Sequence, residues 1–494
     1  MEHLQSGWTH NSEGAHRMGK AGGFLEYPRT DPTYRSVIER IHDYREFVNL
    51  LSEKDAIQQG ARCMDCGVPF CHWLGCPLHN VIPNWNDFVY RRQWKNAYEQ
   101  LELTSNFPEI MARVCPGLCE AACTLSVNIS PVSIRQIELF LAERAFENGW
   151  VVSRPPSVET NKRVAIIGSG PAGLTAAQNL RRFGHSVRVF EKSDKLGGIL
   201  RYGIPDFKLE KWVLDRRLAQ LEQEGICFET GVDVGKDISA QDLLMGFDAI
   251  VLTQGAGQAR DLRVLGRELA GVHQAMDYLR QSNLYVAGVK KKEEIIWAED
   301  KNVLVIGGGD TGNDCAGTAI RQGAKKVYQF EILPKPLEWD KPFNPDWPDW
   351  PKILRNSSSH EEGCVRDWSV GTKNFSGVDG RLSAGHFVRL DWKRNGTEGS
   401  WVMSETPGSE FTLDVDLVFL AMGFLHVEHS KLTEDLKVAL DEKGNIKTNG
   451  KYVTSVPGIF VAGDAMTGAS LVARAAWHGG EAANACHNFL VEQH

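Results

Sequence analysis

The sequence predicts an α/β chain in which an N-terminal helical domain rich in cysteine precedes two Rossmann-like dinucleotide-binding domains, the second inserted in the first. Three observations predict it. Seven of the eleven cysteines fall between Cys63 and Cys123. Two glycine fingerprints, GSGPAG (Gly168 to Gly173) and GGGDTG (Gly307 to Gly312), each follow a strand-like apolar run and open an amphipathic helix. A further run of this texture, GIFVAGDA (Gly458 to Ala465), comes only near the C-terminus, so one nucleotide-binding domain is expected inside the other.

A chain of 494 residues is too long for one ordinary core. With 42% hydrophobic and 24% charged residues it has the balance of a globular protein. The net charge of -8 and the lack of a long basic block speak against nucleic acid as a partner. The richest apolar stretch, around Val415 to Leu425, is short and carries Asp416, so no membrane span is expected. The first residues lack a basic-then-apolar export signal, which points to the cytoplasm. In that reducing compartment, clustered cysteines suit metal or redox work better than disulfides.

Helical runs at Trp85 to Leu103 and Ile134 to Asn148 flank the cysteines, and the Pro-rich linker SRPPSVETNKR (Ser153 to Arg163) ends that region. The expected division is a helical domain at 1–155, one nucleotide-binding domain at 156–285 and 415–494, and the other at 286–414. Between Pro334 and Gly377 the Trp, Pro, Asp and Ser content reads as an irregular excursion with no assigned chemistry.

The cysteines form two groups, Cys63, Cys66, Cys71 and Cys76, then Cys115, Cys119 and Cys123. Thiolates two to five residues apart on turning backbone can converge on one inorganic core. Structural zinc is the competing reading. Seven thiolates exceed one zinc site but fall one short of two iron-sulfur clusters with four ligands each, which implies an eighth, non-cysteine ligand. Glu138, on VSIRQIELFLAER, is a candidate, set against an ordinary solvated helix glutamate.

In GSGPAG, which opens a helix expected over Leu174 to Phe183, Gly168 permits the tight turn, Gly170 lets a pyrophosphate approach, and Gly173 allows helix and strand to pack close, with Pro171 and Ala172 counted among the cofactor-binding residues. Glu191 ends the next strand, where a carboxylate can accept from ribose hydroxyls. Gly307, Gly309, Asp310, Thr311 and Gly312 repeat the device, and a flavin plus a nicotinamide is the simplest pairing. Glu331 would favour NADH, whereas Lys325, Lys326 and Lys335 could meet the 2'-phosphate of NADPH, so the choice stays open. Asp464 follows the last strand, where it could hold a flavin ribityl chain, and the helix beyond Gly468 could aim its N-terminus at the flavin.

Together GFLEYPR (Gly23 to Arg29), GARCMDCGVPFCHWLGCPLHNVIPNWND (Gly60 to Asp87), RVCPGLCEAACTL (Arg113 to Leu125), GGILRYGIPDFKLEK (Gly197 to Lys211) and the two fingerprints carry a resemblance over nearly the whole chain. The chain resembles the small subunits of glutamate synthases, within the cluster-bearing flavin oxidoreductases that include dihydropyrimidine dehydrogenase. The resemblance implies two 4Fe-4S clusters with interleaved ligands, one on Cys63, Cys66, Cys71 and Cys123 and the other on Cys76, Cys115, Cys119 and Glu138. It implies FAD on Gly168 to Gly173, Glu191, the turn containing Gly198, Arg201 and Ile204, and Asp464. It further implies that NADPH or NADH is oxidised and that electrons leave for a glutamate synthase large subunit that makes glutamate from glutamine and 2-oxoglutarate.

No catalytic side chain is assigned, because hydride and electron transfer belong to the cofactors. The alternatives are a related reductase serving ferredoxin or another oxidoreductase, and a zinc-stabilised nucleotide-binding scaffold. Against the family pattern, residues 1–17 read as an extension before MGKAGGFLEY, and LTQGAG (Leu252 to Gly257) replaces the usual threonine-glycine pair.

Overall fold

The computed structural model describes residues 19–395 and 400–492, so the expected extension at 1–17 lies outside the described residues. The N-terminal unit is helical: α1 (Glu53–Ala61), α2 (Ile82–Tyr90), α3 (Trp94–Glu102), α4 (Pro108–Val114) and α5 (Ile134–Glu147). Ser52 caps α1 by accepting from the Asp55 N–H, and Pro108 opens α4, where its missing N–H costs nothing. Trp85, Leu101, Phe107, Ile110, Ile137 and Leu141 bury their side chains between these helices.

The run expected as one helix from Trp85 to Leu103 is two. Arg92 adopts φ 58°, in the left-handed region, and the chain turns there. The turn lets α2 and α3 pack on each other, burying Trp85 and Val89 of one with Ala97 and Leu101 of the other. A straight helix would leave one of these faces in water.

Beyond the linker come β1 (Arg163–Ile167), α6 (Pro171–Arg182), β2 (Ser186–Glu191), α7 (Lys211–Gln223), β3 (Cys227–Thr230) and β4 (Ala249–Leu252). The chain continues through β5 (Val272–Gln274), α8 (Ala275–Val286), β6 (Asn302–Ile306), α9 (Asp310–Arg321), β7 (Lys326–Glu331) and β8 (Cys364–Trp368). Antiparallel strands β9 (Val370–Val378), β10 (Arg381–Arg394), β11 (Trp401–Glu405) and β12 (Phe411–Asp414) follow, then β13 (Leu417–Leu420), β14 (Ile459–Val461) and α10 (Val472–Glu492).

The strands form two parallel sheets, β14-β4-β1-β2-β3 and β5-β13-β6-β7-β8. The return of β14 to β4 nests the second sheet inside the chain path of the first. The helix α10 then crosses α6 so closely that a Cβ on Gly479 would lie 2.1 Å from the Ala172 carbonyl oxygen.

Two expectations change here. The boundaries at 285 and 415 do not follow the sheets, because β13 pairs with β5 and β6, which puts 272–420 in the second unit. A fully buried strand is an uninterrupted apolar run whichever sheet it joins, so only its pairing assigns it. Nor is 334–377 wholly irregular: β8 pairs with β7 as the sheet edge, and β9 pairs with β10.

Buried ion pairs lock the units together. Arg217 of α7 meets both Glu109 carboxylate oxygens of α4 at 2.8 Å, with both side chains withdrawn from water. Glu362, before β8, accepts from Arg40 at 2.7 Å and from Arg321 of α9 at 2.6 Å. Substituting Glu362→Ala would leave two buried guanidinium groups facing each other, and should destabilise the docking of the N-terminal arm by about 3–5 kcal/mol. Urea unfolding of the variant should show an earlier first transition; an unchanged curve would contradict this.

Candidate functional site

The cysteine region is built so that chain segments far apart in sequence share two cavities. The first is lined by Cys76, Cys115, Cys119 and Glu138. The second is lined by Cys63, Cys66, Cys71 and Cys123. The first group of the sequence therefore sends its last cysteine to the other cavity, and the second group sends its last cysteine back. A π-helical turn at Cys71–Gly75 makes this parting possible, with Gly75 pressed so close to Cys119 that a Cβ would lie 2.8 Å from its Cα.

Among the described residues no three His, Cys, Asp or Glu side chains gather tightly enough to hold one metal ion. Four donors instead ring each cavity, a layout suited to a polynuclear core rather than a single zinc ion. The electrostatics agree with that reading of the donor sets. Burial pushes the Cys63 and Cys76 thiols up to about 12 and raises Cys115, Cys119 and Cys123 as well. It pushes the Glu138 carboxyl up to about 8.

Glu138 is therefore no solvated helix residue. Among the described residues its carboxylate accepts one hydrogen bond, from Asn80 Nδ2 at 3.5 Å, and Asn80 is itself held by Thr104 at 2.7 Å. At the second cavity the Asn86 side chain is buried beside Cys63, whose thiolate form it favours. Buried thiol and carboxyl donors gathered around one space are what a cationic cluster would satisfy. Arg29 of the GFLEYPR motif braces the region, donating to the Pro131 and Val132 carbonyls and to Glu120. Ala473, at the start of α10, lines the Glu138 cavity, so that cavity is the one that reaches the first sheet's unit.

The two glycine loops are physical copies. Gly168 and Gly307 take φ 105° and 120°, and Gly170 and Gly309 are the N-caps of α6 and α9. Apart from the adjoining backbone, no atom of the described residues stands within 4 Å of a Cβ built on Gly170 or Gly309, which leaves both helix N-termini open to a pyrophosphate. At Gly173 and Gly312 a Cβ would lie 2.0 and 2.4 Å from the carbonyl oxygens of Gly168 and Gly307, so both positions need glycine for close packing. Pro171 and Ala172 lie in the first turn of α6, and Asp310 and Thr311 begin α9.

The strand-end acids also match. Glu191 accepts from the Ser169 N–H at 3.1 Å, the Ser169 hydroxyl at 2.6 Å and the Ser193 N–H at 2.8 Å. Glu331 accepts from the Gly308 N–H at 2.7 Å and the Leu333 N–H at 3.1 Å. The turn at Gly197–Ile204 lies on the first loop: the Gly197 N–H donates to Ser169 Oγ, and a Cβ on Gly198 would meet Gly170 at 3.1 Å. Arg201 in this turn spends its guanidinium on the Leu196 carbonyl and on Asp215, while the Ile204 carbonyl accepts from Lys211.

Asp464 begins a short helix after Gly463, accepts from Ser470 at 2.6 Å, and has its carboxyl raised by burial. In the LTQGAG segment Thr253 donates to the Ile167 and Gly168 carbonyls, and Gln254 Oε1 is buried without a partner. The open Gly170 cradle and this orphaned oxygen fit a bound dinucleotide.

The lysine expectation is corrected. Lys325 and Lys326 sit at the start of β7, roughly 16 Å along the strand from Glu331 at its loop end. Lys326 instead lies 4.9 Å over the Tyr328 ring. The cavity beside the second loop is lined by Gly308, Glu331 and Pro334 together with Arg366, Asp367 and Trp368 of β8. Sequence reasoning missed Arg366, because no local signal shows that β8 lies beside β7.

Comparison with known proteins agrees with both halves. Residues 40–150 match the family described as dihydropyrimidine dehydrogenase domain II, 4Fe-4S cluster, and residues 162–479 match pyridine nucleotide-disulphide oxidoreductase. The chain is 49% identical to the glutamate synthase (NADPH) small chain of Mycobacterium tuberculosis, over 96% of each. It is 44% identical to glutamate synthase (NADH) of Schizosaccharomyces pombe over 92% of this chain, which spans 22% of that one. FprA from Mycobacterium tuberculosis shares the fold, with TM-score 0.54 and 18% identity over 67% of this chain and 85% of that one.

Substituting Gly173→Ala should drive α6 off the loop and abolish flavin retention. The purified variant should lack the yellow absorption of the parent, and full flavin content would show that the loop tolerates the displacement.

Proposed function

The chain belongs to the glutamate synthase small-chain family, and we propose that it oxidises NAD(P)H at a bound FAD and passes electrons through two 4Fe-4S clusters to a large glutamate synthase subunit, which makes glutamate from glutamine and 2-oxoglutarate. The single observation that carries this reading is the pair of four-donor cavities, one of which adjoins the flavin-type unit through Ala473.

In this reading Cys63, Cys66, Cys71 and Cys123 hold one cluster, and Cys76, Cys115, Cys119 and Glu138 hold the other. The Thr104–Asn80 pair orients the Glu138 carboxylate. Gly168 to Gly173 receive the FAD pyrophosphate on the N-terminus of α6, with Glu191 and Asp464 placed for its ribose and ribityl hydroxyls. Gly307 to Gly312 do the same for the nicotinamide coenzyme on α9. The matching residues hold their groups in a water-poor interior, and no side chain need carry a proton for hydride transfer.

A large partner is supported by the fission yeast relative, in which the matching segment is about a fifth of a longer glutamate synthase chain. The coenzyme cavity holds charges of both signs. Glu331 suits free ribose hydroxyls, and Arg366 suits a 2'-phosphate.

Three measurements test this reading. Adding NAD(P)H to the purified protein should bleach its flavin band and develop cluster signals in electron paramagnetic resonance; a protein without flavin or iron sinks the proposal. Glu138→Ala should lower bound iron from about eight to about four atoms per chain, with one cluster signal lost; unchanged iron would remove Glu138 from the ligand set. Glu331→Gln should lower kcat/KM for NADH about tenfold, the size of one charge-assisted hydrogen bond, and raise the NADPH to NADH ratio; an unmoved ratio would take Glu331 away from the ribose.

A further inference from the structure

The tryptophan-rich segment between β7 and β8 has a role that the proposed electron path does not account for. We propose that Asn344 and Trp347, at the tip of a strap formed by residues 333–356, are positioning residues for the Cys63, Cys66, Cys71 and Cys123 cavity: they close it against water and thereby set the potential and lifetime of the cluster held there. This rests on the two-cluster reading above.

The strap leaves the second sheet's unit and lands on the N-terminal unit. Its root is stiff. The Leu354 N–H donates to the Leu337 carbonyl at 2.7 Å, where Leu337 and Ile353 form a bridge, and the Ser369 N–H donates to Leu333 at 3.0 Å. Arg355 stacks on the Trp350 ring at 3.5 Å. Leu333, Pro334 and Pro336 of this root also line the coenzyme cavity.

The tip is bound where Cys123 lies. The Asn344 N–H donates to the Ser126 carbonyl at 2.7 Å, and its side-chain amide donates to the Ala121 carbonyl at 2.9 Å. The Trp347 indole N–H is shared between the carbonyls of Ala122 at 3.3 Å and Cys123 at 3.2 Å. Its ring packs on Phe70, centroid to centroid 4.8 Å, and Phe70 immediately precedes Cys71. Two donor side chains and one backbone N–H of the strap thus hold the carbonyls of residues 121–123 and 126, and the Trp347 ring sits on the residue next to Cys71. Nothing in an ordinary nucleotide-binding unit requires such contacts across more than 200 residues of sequence.

The chemistry follows from solvation. A cluster held by four thiolates gains negative charge on reduction, and water near it stabilises that charge more than a dry aromatic wall does. Removing the wall should therefore move the potential to a more positive value and let oxidants reach the cluster.

The experiment is a redox titration of the whole loaded protein by electron paramagnetic resonance, with air-bleaching kinetics, on the parent, Trp347→Ala, Trp347→Phe and Asn344→Ala. In Trp347→Ala one of the two cluster signals should shift to more positive potential and be lost in air on the order of tenfold faster. The Glu138-side signal should hold its value as an internal reference. Trp347→Phe keeps the ring without the N–H and should fall between the two. Asn344→Ala, which removes the side-chain tie of the strap to Ala121 and so loosens the seating of Trp347, should shift the same signal in the same direction by less, and tests the strap if Trp347→Ala fails to fold. Parent-like potentials and bleaching rates in Trp347→Ala, or in Asn344→Ala and Trp347→Phe if it does not fold, would overturn the proposal. Absence of iron-sulfur signals from the parent itself would instead overturn the reading on which it rests.

Discussion

Burial raises the proton affinity of a thiol or carboxyl because the charged form loses its water, and the N-terminal unit does this to Cys63, Cys71, Cys76, Cys115, Cys119, Cys123 and Glu138 around two cavities. Left alone, these groups are held neutral by their surroundings. A cationic core among them reverses the balance, since the thiolate form is the ligand. The helices, the left-handed Arg92 turn and the Arg29 brace can then be understood as the frame that brings residues 63–76, 115–123 and 138 to common walls. The same constraint explains why the donors are exchanged between the two sequence groups: each void draws on segments that the helical frame already holds still.

Electron passage across units needs a geometry that does not drift, and the interfaces are built accordingly. The Arg217–Glu109 pair joins the helical unit to the first sheet's unit, while Glu362 joins Arg40 of the N-terminal arm to Arg321 of the second. Buried pairs of this kind add little net stability compared with apolar packing, but they are costly to break and they specify register. A rigid relation between the open N-terminus of α6 and the Glu138 cavity is the consequence that matters for function. The strap adds a third tie, this time between the second sheet's unit and the cavity that holds Cys123.

Much of the site was legible because its determinants are local. Gly168, Gly170 and Gly173 declare their roles by spacing after an apolar strand, and Gly307, Gly309 and Gly312 repeat them; the close approaches in the structure are those that the spacing requires. The acids Glu191 and Glu331 were found the same way, by counting to the end of the next strand. Lys325 and Lys326 misled because nearness in sequence to Glu331 is distance along an extended strand, whereas Arg366 arrives from a neighbouring strand with no local mark. The strands β5 and β13 were assigned to the wrong unit because neither says which ladder it joins: β13 is a buried apolar run, and β5, Val-His-Gln, is too short to carry a pattern.

The sequence by itself determined the chemistry on offer: the number and type of donors, the two glycine loops, and the order of helical, first and second units. These follow from residue identity and short-range periodicity, which act within a few residues. Only the tertiary structure decided which cysteines share a cavity, that Glu138 is buried beside three of them, that β8 supplies Arg366, and that the tryptophan-rich strap reaches back to Cys123. Each of these depends on contacts between segments separated by tens to hundreds of residues, and no local pattern records where a folded chain will bring its distant parts together.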